Sequence, residues 1–345
     1  MTYRILSIDG GGIRGVLAAR MLQRIEERLE LPLREHFDLI AGTSTGSMVG
    51  AAIAMGIPCK DIVQLYRKKS KKVFPYKSRW TLKRLPLLLK HGPSAPKFSE
   101  DGLIRMLKDL LGEKRLGDIN AAKLLITSYD TIGRSPIIFK SWKEKFANVP
   151  VWEACLCSAS APTFFPAHRL VIDGEVMSAI DGGLAANNPT ACAVAEAIRL
   201  GHRLEDLEVI SIGTGAATRV IPWEQARSWG TLQWIWGGRV VKVMTDAPCE
   251  VYHYITDYVI GDKSRYARLQ FPLDRRLIHK PLSDDMDDAS KENINNLVEA
   301  ADAYMNLVEV VECLDMCLRK SEPPQIHVQE RYKGIPTNKG SKFAG

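Results

Sequence analysis

The chain has 345 residues, 46% hydrophobic and 25% charged, with 47 Lys and Arg against 40 Asp and Glu for a net charge of +7. These proportions belong to an ordinary globular protein and exclude a disordered or collagen-like chain. No run approaches the roughly 18 consecutive apolar residues that a membrane-spanning helix needs.

At the N-terminus, Met-Thr-Tyr-Arg leads directly into a predicted strand at 3–8, with no apolar leader or cleavage site. The strand ends in Asp9-Gly10-Gly11-Gly12-Ile13-Arg14-Gly15, followed by a helical pattern over 14–30. Consecutive glycines at a strand-to-helix junction offer N–H donors with no side chain in the way, which suits an oxyanion hole. Gly10 to Gly15 also spell GxGxxG, the dinucleotide fingerprint, but that reading wants an acidic residue at the end of the second strand. The second strand, 37–41, ends instead in Ala41 and Gly42.

Gly42-Thr43-Ser44-Thr45-Gly46 follows, before a helical pattern at 46–56. A strand that turns sharply into a helix throws the serine hydroxyl out of the backbone path, and flanking glycines let neighbouring chain pass close. Ser44 is the candidate nucleophile. A helix pattern at 59–73 opens a basic stretch: residues 62–99 carry eleven Lys and Arg and no Asp or Glu, interleaved with Phe74, Tyr76, Trp80, Leu82, Leu85 and Leu89. Such a stretch suits an anionic membrane surface, with Lys68, Lys69, Lys71 and Lys72 as the docking cations. A solvated insertion is the plain alternative, and nucleic acid is a less fitting partner.

Further helices are predicted at 99–111, 150–158, 188–200 and 290–319, and strands at 123–130, 136–140, 206–212 and 265–271. Between them, Ala179-Ile180-Asp181-Gly182-Gly183 places Asp181 at a strand end, where a carboxylate raised by burial can take a serine proton directly. His202, His253, His279 and His327 follow it, so a Ser-His-Asp triad has to be weighed. None lies in a small-residue loop after a strand. Trp223, Trp229, Trp234 and Trp236 crowd into fourteen residues and suit either a lipid interface or a buried cap. Seven cysteines form no CxxC pair, which fits reduced thiols, and no His, Cys or carboxylate spacing suggests a metal.

Taken together, Asp-Gly-Gly-Gly-Ile-Arg-Gly, Gly-Thr-Ser-Thr-Gly and Asp-Gly-Gly in this order resemble the patatin-like phospholipases. Ser158 to Pro166, Ile210-Ser211-Ile212-Gly213-Thr214-Gly215 and Tyr266-Ala267-Arg268-Leu269-Gln270 extend the resemblance over residues 3 to 310. Ser47 departs from it, since many relatives carry glycine there. The resemblance implies a three-layer α/β fold, with a central, mostly parallel sheet flanked by helices. It implies a Ser44-Asp181 dyad hydrolysing acyl esters of lipids, with Gly10, Gly11, Gly12 and Arg14 as oxyanion environment and no metal or other cofactor. One domain over 1–322 with a frayed tail at 323–345, a cytoplasmic location and a peripheral membrane contact complete the expectation. Two alternatives share the motifs: a cyclic-nucleotide-activated effector phospholipase of antiphage defence, and a catalytically silent lipid-binding relative.

Overall fold

The structure is a computed structural model that describes residues 2–235 and 239–318. Eight strands form one mixed sheet: β1 (Tyr3–Ile8), β2 (Leu39–Thr43), β3 (Lys123–Asp130), β4 (Ser135–Lys140), β5 (His168–Ile172), β6 (Glu175–Asp181), β7 (Leu207–Ile212) and β8 (Tyr266–Leu269). Their order is β5-β6-β3-β2-β1-β7-β8, with β4 also on β3. The five strands from β3 to β8 run parallel, and β4, β6 and β5 are antiparallel additions.

The longer helices are α1 (Gly15–Leu29), α2 (Thr45–Ala54), α3 (Cys59–Val73), α4 (Leu85–His91), α5 (Asp101–Leu111), α6 (Val151–Ala159), α7 (Thr190–Arg199), α8 (Arg239–Ile260), α9 (Lys291–Met305) and α10 (Val308–Cys317). Alternation along the strands separates two cores. Leu6, Ile8, Ile40, Leu124, Ile126 and Ile210 join the larger one, beneath α1, α2, α3, α5, α6 and α9. Tyr3, Ile5, Leu39, Leu125 and Val209 face the smaller, under α7 and the end of α8. This is the expected three-layer α/β architecture. α2 is apolar all round and buries every residue, as a helix enclosed on all sides must.

Besides α4, which the sequence pattern did not signal, three elements differ from the sequence reading. The 290–319 pattern is two helices, α9 and α10, parted at Asn306 and Leu307. α8, with Pro248 inside it, was not anticipated as a long helix. The third is a hairpin, β5–β6, turned at Asp173 and Gly174, both with positive φ. An Asp-Gly pair between apolar runs signals such a turn, although the strand before it was overlooked. The tail at 323–345, His327 and Trp236 lie outside the described residues.

The meeting of β2 and β6 positions the chemistry. Thr43, the last residue of β2, pairs with Thr127 of β3, and Asp181, the last residue of β6, pairs with the next residue, Ser128. Because β4 occupies the opposite edge of β3 over residues 125–130, β2 and β6 share one edge and abut end to end.

Candidate active site

Ser44 stands at that junction with φ 52° and ψ −122°, a backbone conformation that costs a non-glycine residue about 1–3 kcal/mol. Surrounding structure enforces it. A Cβ on Gly46 would lie 2.2 Å from the Ile8 carbonyl oxygen, so only glycine lets β1 and the elbow approach. The Ser44 N–H donates to Ser158 Oγ at 2.7 Å, and the Ser44 hydroxyl donates to Asp181 Oδ2 at 2.8 Å. The other carboxylate oxygen of Asp181 accepts the Gly183 N–H at 2.7 Å. Both side chains are buried. Burial raises the Asp181 carboxyl to about 6, against the opposite pull of its two hydrogen bonds.

The glycine loop after β1 lies beside the serine, and its members are used differently. Gly10 packs with its Cα against Ser44, its N–H donates to the Asn187 carbonyl at 3.0 Å, and its carbonyl accepts the Thr214 hydroxyl. Its donor is therefore committed. Gly12 lines the cleft with φ 60°, and a Cβ there would strike the Met286 carbonyl at 2.2 Å. The N–H groups of Gly11 and Gly12 have no acceptor among the described residues. Arg14 is buried behind the loop, donating to the Gly11 carbonyl at 3.3 Å and the Gly215 carbonyl at 3.2 Å. It is not among the residues lining the cleft.

Several supporting residues were given no role from the sequence. Asp9, directly before the glycines, forms a two-pronged ion pair with Arg268 of β8, whose second contact is Ser211 Oγ at 2.8 Å. Burial pushes the Asp9 carboxyl up while Arg268 pulls it down. A lone arginine in an otherwise apolar strand was the available signal. Asn187 holds Gly10 by its carbonyl and Cys249 Sγ by its side chain. Met286 holds the Ile13 N–H at 2.8 Å.

From Ser44 and Asp181 an apolar cleft extends between α2, α3 and α5, walled by Met48, Val73, Phe74, Leu103, Met106 and Phe164. Ser44 and Asp181 bring reactive polar atoms to a lining that is otherwise mostly apolar, which suits an apolar ligand with one reactive group.

No histidine among the described residues bonds to Ser44 or Asp181. His202 stacks on Tyr3 at 3.7 Å, His253 Nδ1 meets the Tyr266 hydroxyl at 2.9 Å, and His279 sits in a loop with φ 54°. All seven cysteines are free. Among the described residues no helix is long and apolar enough to cross a membrane.

The sequence pattern of the "Patatin-like phospholipase" family matches residues 6–194. Patatin-like protein 3 of Arabidopsis thaliana is 30% identical, covering 87% of this chain and 80% of that protein. Patatin-like protein 1 of the same plant is 31% identical, covering 85% and 79%. Among solved structures, VipD from Legionella pneumophila is similar at 12% identity and a TM-score of 0.41, covering 88% of this chain and 67% of that one.

Proposed function

The chain belongs to the patatin-like phospholipase family, and from that premise we propose that it is a serine acyl hydrolase that releases fatty acids from phospholipids or other lipid acyl esters. The observation that carries the reading is the Ser44 hydroxyl directed at a buried carboxylate, 2.8 Å away, at the mouth of an apolar cleft.

In the proposed reaction, the acyl chain lies in the cleft with its ester carbonyl over Ser44. Ionised Asp181 takes the hydroxyl proton as Oγ attacks the carbonyl carbon. The Gly11 and Gly12 N–H groups hold the negative charge that develops on the carbonyl oxygen. Gly10 and Arg14 work from behind, tying the loop to Asn187, Gly11 and Gly215. The alcohol leaves with the proton from Asp181, giving an acyl-Ser44 ester. Water then gives a proton to Asp181 as its oxygen attacks that ester; the acyl C–Oγ bond breaks, Asp181 returns the proton to Ser44 Oγ, and the fatty acid leaves. An amide or a protonated carboxyl in place of the carboxylate cannot start this sequence, and no metal ion enters it.

Fatty-acid release from phospholipid vesicles and turnover of a p-nitrophenyl acyl ester test the reading. Ser44→Ala should lower both by about 10⁴-fold or more, and EDTA should leave the wild-type rate unchanged. Wild-type turnover by the Ser44→Ala protein would end the proposal. No release by the intact protein would leave a lipid-binding relative.

A further inference from the structure

Two stretches carry the most exposed large apolar side chains among the described residues. In the first, residues 77–91, Trp80 is 95% exposed, Leu82 90% and Leu89 80%, and α4 buries none of its residues. In the second, residues 219–235 and 239–244, Leu232 is 80% and Trp223 67% exposed. Exposed apolar surface of this kind marks an interaction site.

One loop ties the two together. Asp284-Asp285-Met286-Asp287-Asp288 holds four carboxylates in five residues, each gripped by a cation from one side or the other. Lys77 reaches Asp288 at 2.8 Å, and Lys97, where the first segment rejoins the domain, pairs with Asp287 in a buried contact. Arg219 reaches Asp284 at 2.8 Å and Lys242 reaches Asp285 at 3.0 Å. Between these pairs, Met286 lines the cleft beside Ser44. The first segment also leaves the cleft wall at Phe74 and returns at Phe98, whose N–H donates to the carbonyl of the wall residue Phe164. Both exposed stretches are thus fastened to the structure around the cleft.

We propose that the two stretches form a single rim that seats the cleft on an anionic lipid bilayer. The proposal rests on the acyl-hydrolase reading for its choice of a lipid surface and on charge for its sign. Residues 77–91 contain five Lys and Arg and no acid, and residues 219–244 contain four against Glu224 alone. Lys83 and Lys90 are exposed and carry no ion pair among the described residues. Arg227 lies over the Trp223 ring at 4.8 Å, placing a cation beside an exposed indole. Large apolar side chains enter the headgroup boundary while cations between them meet anionic phosphates. The docking cations read from the sequence fit less well, because α3 lies outside both stretches and its Lys69 is held by Asp109 at 2.8 Å.

The experiment uses the full chain with Ser44→Ala, so that vesicles are not consumed, and follows sedimentation with phosphatidylcholine vesicles with and without phosphatidylglycerol. Binding should require phosphatidylglycerol. Changing Trp80, Leu82 and Leu89 to Ser should weaken it about tenfold or more, and so should changing Trp223 and Leu232 to Ser. With Ser44 intact, both variants should turn over a soluble short-chain ester within about twofold of wild type, since no changed residue touches the cleft. Brominated acyl chains should quench Trp80, read as the quenching lost in Trp80→Phe. Unchanged vesicle binding in both variants, absence of quenching, or equal loss on the soluble ester would overturn the rim. So would a concentration-dependent dimer abolished by the substitutions in a protein that ignores vesicles. Vesicle binding by a wild-type protein that hydrolyses nothing would sustain the rim and defeat the acyl-hydrolase reading.

Discussion

Ser44 and Asp181 lie buried at the ends of two strands that pair with a common neighbour, whereas Trp80 and Leu82 stand almost bare on a segment that buries little beyond Arg84. Arg84 anchors that segment by donating to the Arg79, Ala95 and Pro96 carbonyls. The first region is held by ladder hydrogen bonds and close glycine contacts. The second is held at a few polar points, with its apolar side chains free. A group that must keep a 2.8 Å hydrogen bond needs an over-determined backbone, while a group that meets a fluid surface needs accessible area and tolerates imprecision. Substitutions should therefore act steeply in the first region and gradually in the second.

The steepest test after the nucleophile is Asp181→Asn, which should lower kcat about 10³-fold or more, because an amide does not accept the serine proton. The same change should stabilise the fold near neutral pH. Burial raises the Asp181 carboxyl from 3.8 to about 6, so the native state favours the protonated form. That contribution is complete below pH 4 and lost as pH rises through about 6. At pH 8, urea unfolding of Asp181→Asn should show a gain on the order of 2–3 kcal/mol that vanishes by pH 4. A loss of stability at pH 8 would contradict the burial argument.

Next in size, Arg268→Ala should destabilise the protein by about 3–5 kcal/mol, since it leaves the buried Asp9 carboxylate unpaired. Denaturant melts would show it even where activity assays fail. The pH profile sharpens the contrast at a smaller scale. Turnover of a soluble ester should fall about tenfold for each unit below pH 6 as Asp181 takes up its proton, while vesicle binding by the rim should not follow that titration. Smallest of all, His253→Ala should keep turnover within about tenfold, its ring being engaged with Tyr266 rather than with the serine. A loss comparable to that of Asp181→Asn would revive the triad.

Much of the floor was legible because its constraints are local. Three glycines after a strand, and a serine between glycines before an apolar helix, each require a particular backbone within a few residues, and the chain spells them out. Asp181 at a strand end was readable for the same reason. The partnerships were not. The Asp9–Arg268 pair joins residues 259 positions apart, and no spacing rule reaches that far. That Gly10 spends its N–H on Asn187, while Gly11 and Gly12 do not, depends on where a loop from the far side of the sheet comes to rest. The basic stretch was visible as composition, but Asp109, Asp287 and Asp288, which quench part of its charge, arrive from other segments. Composition alone thus could not tell Lys69, which Asp109 holds, from Lys83 and Lys90, which are exposed and carry no ion pair among the described residues.

The end-to-end abutment of β2 and β6 has a consequence for how this chain can diversify. Serine and carboxylate are 137 positions apart in sequence, yet both are placed by adjacent residues of β3: Thr43, directly before the serine, pairs with Thr127, and Asp181 pairs with Ser128. Nothing in that arrangement measures the length of the chain in between. Whole segments there, the 77–91 stretch among them, can be lengthened, shortened or exchanged for others while the reacting atoms stay in register. The scaffold behaves as a socket of constant pitch, and a graft on its rim changes which surface is presented to the same chemistry.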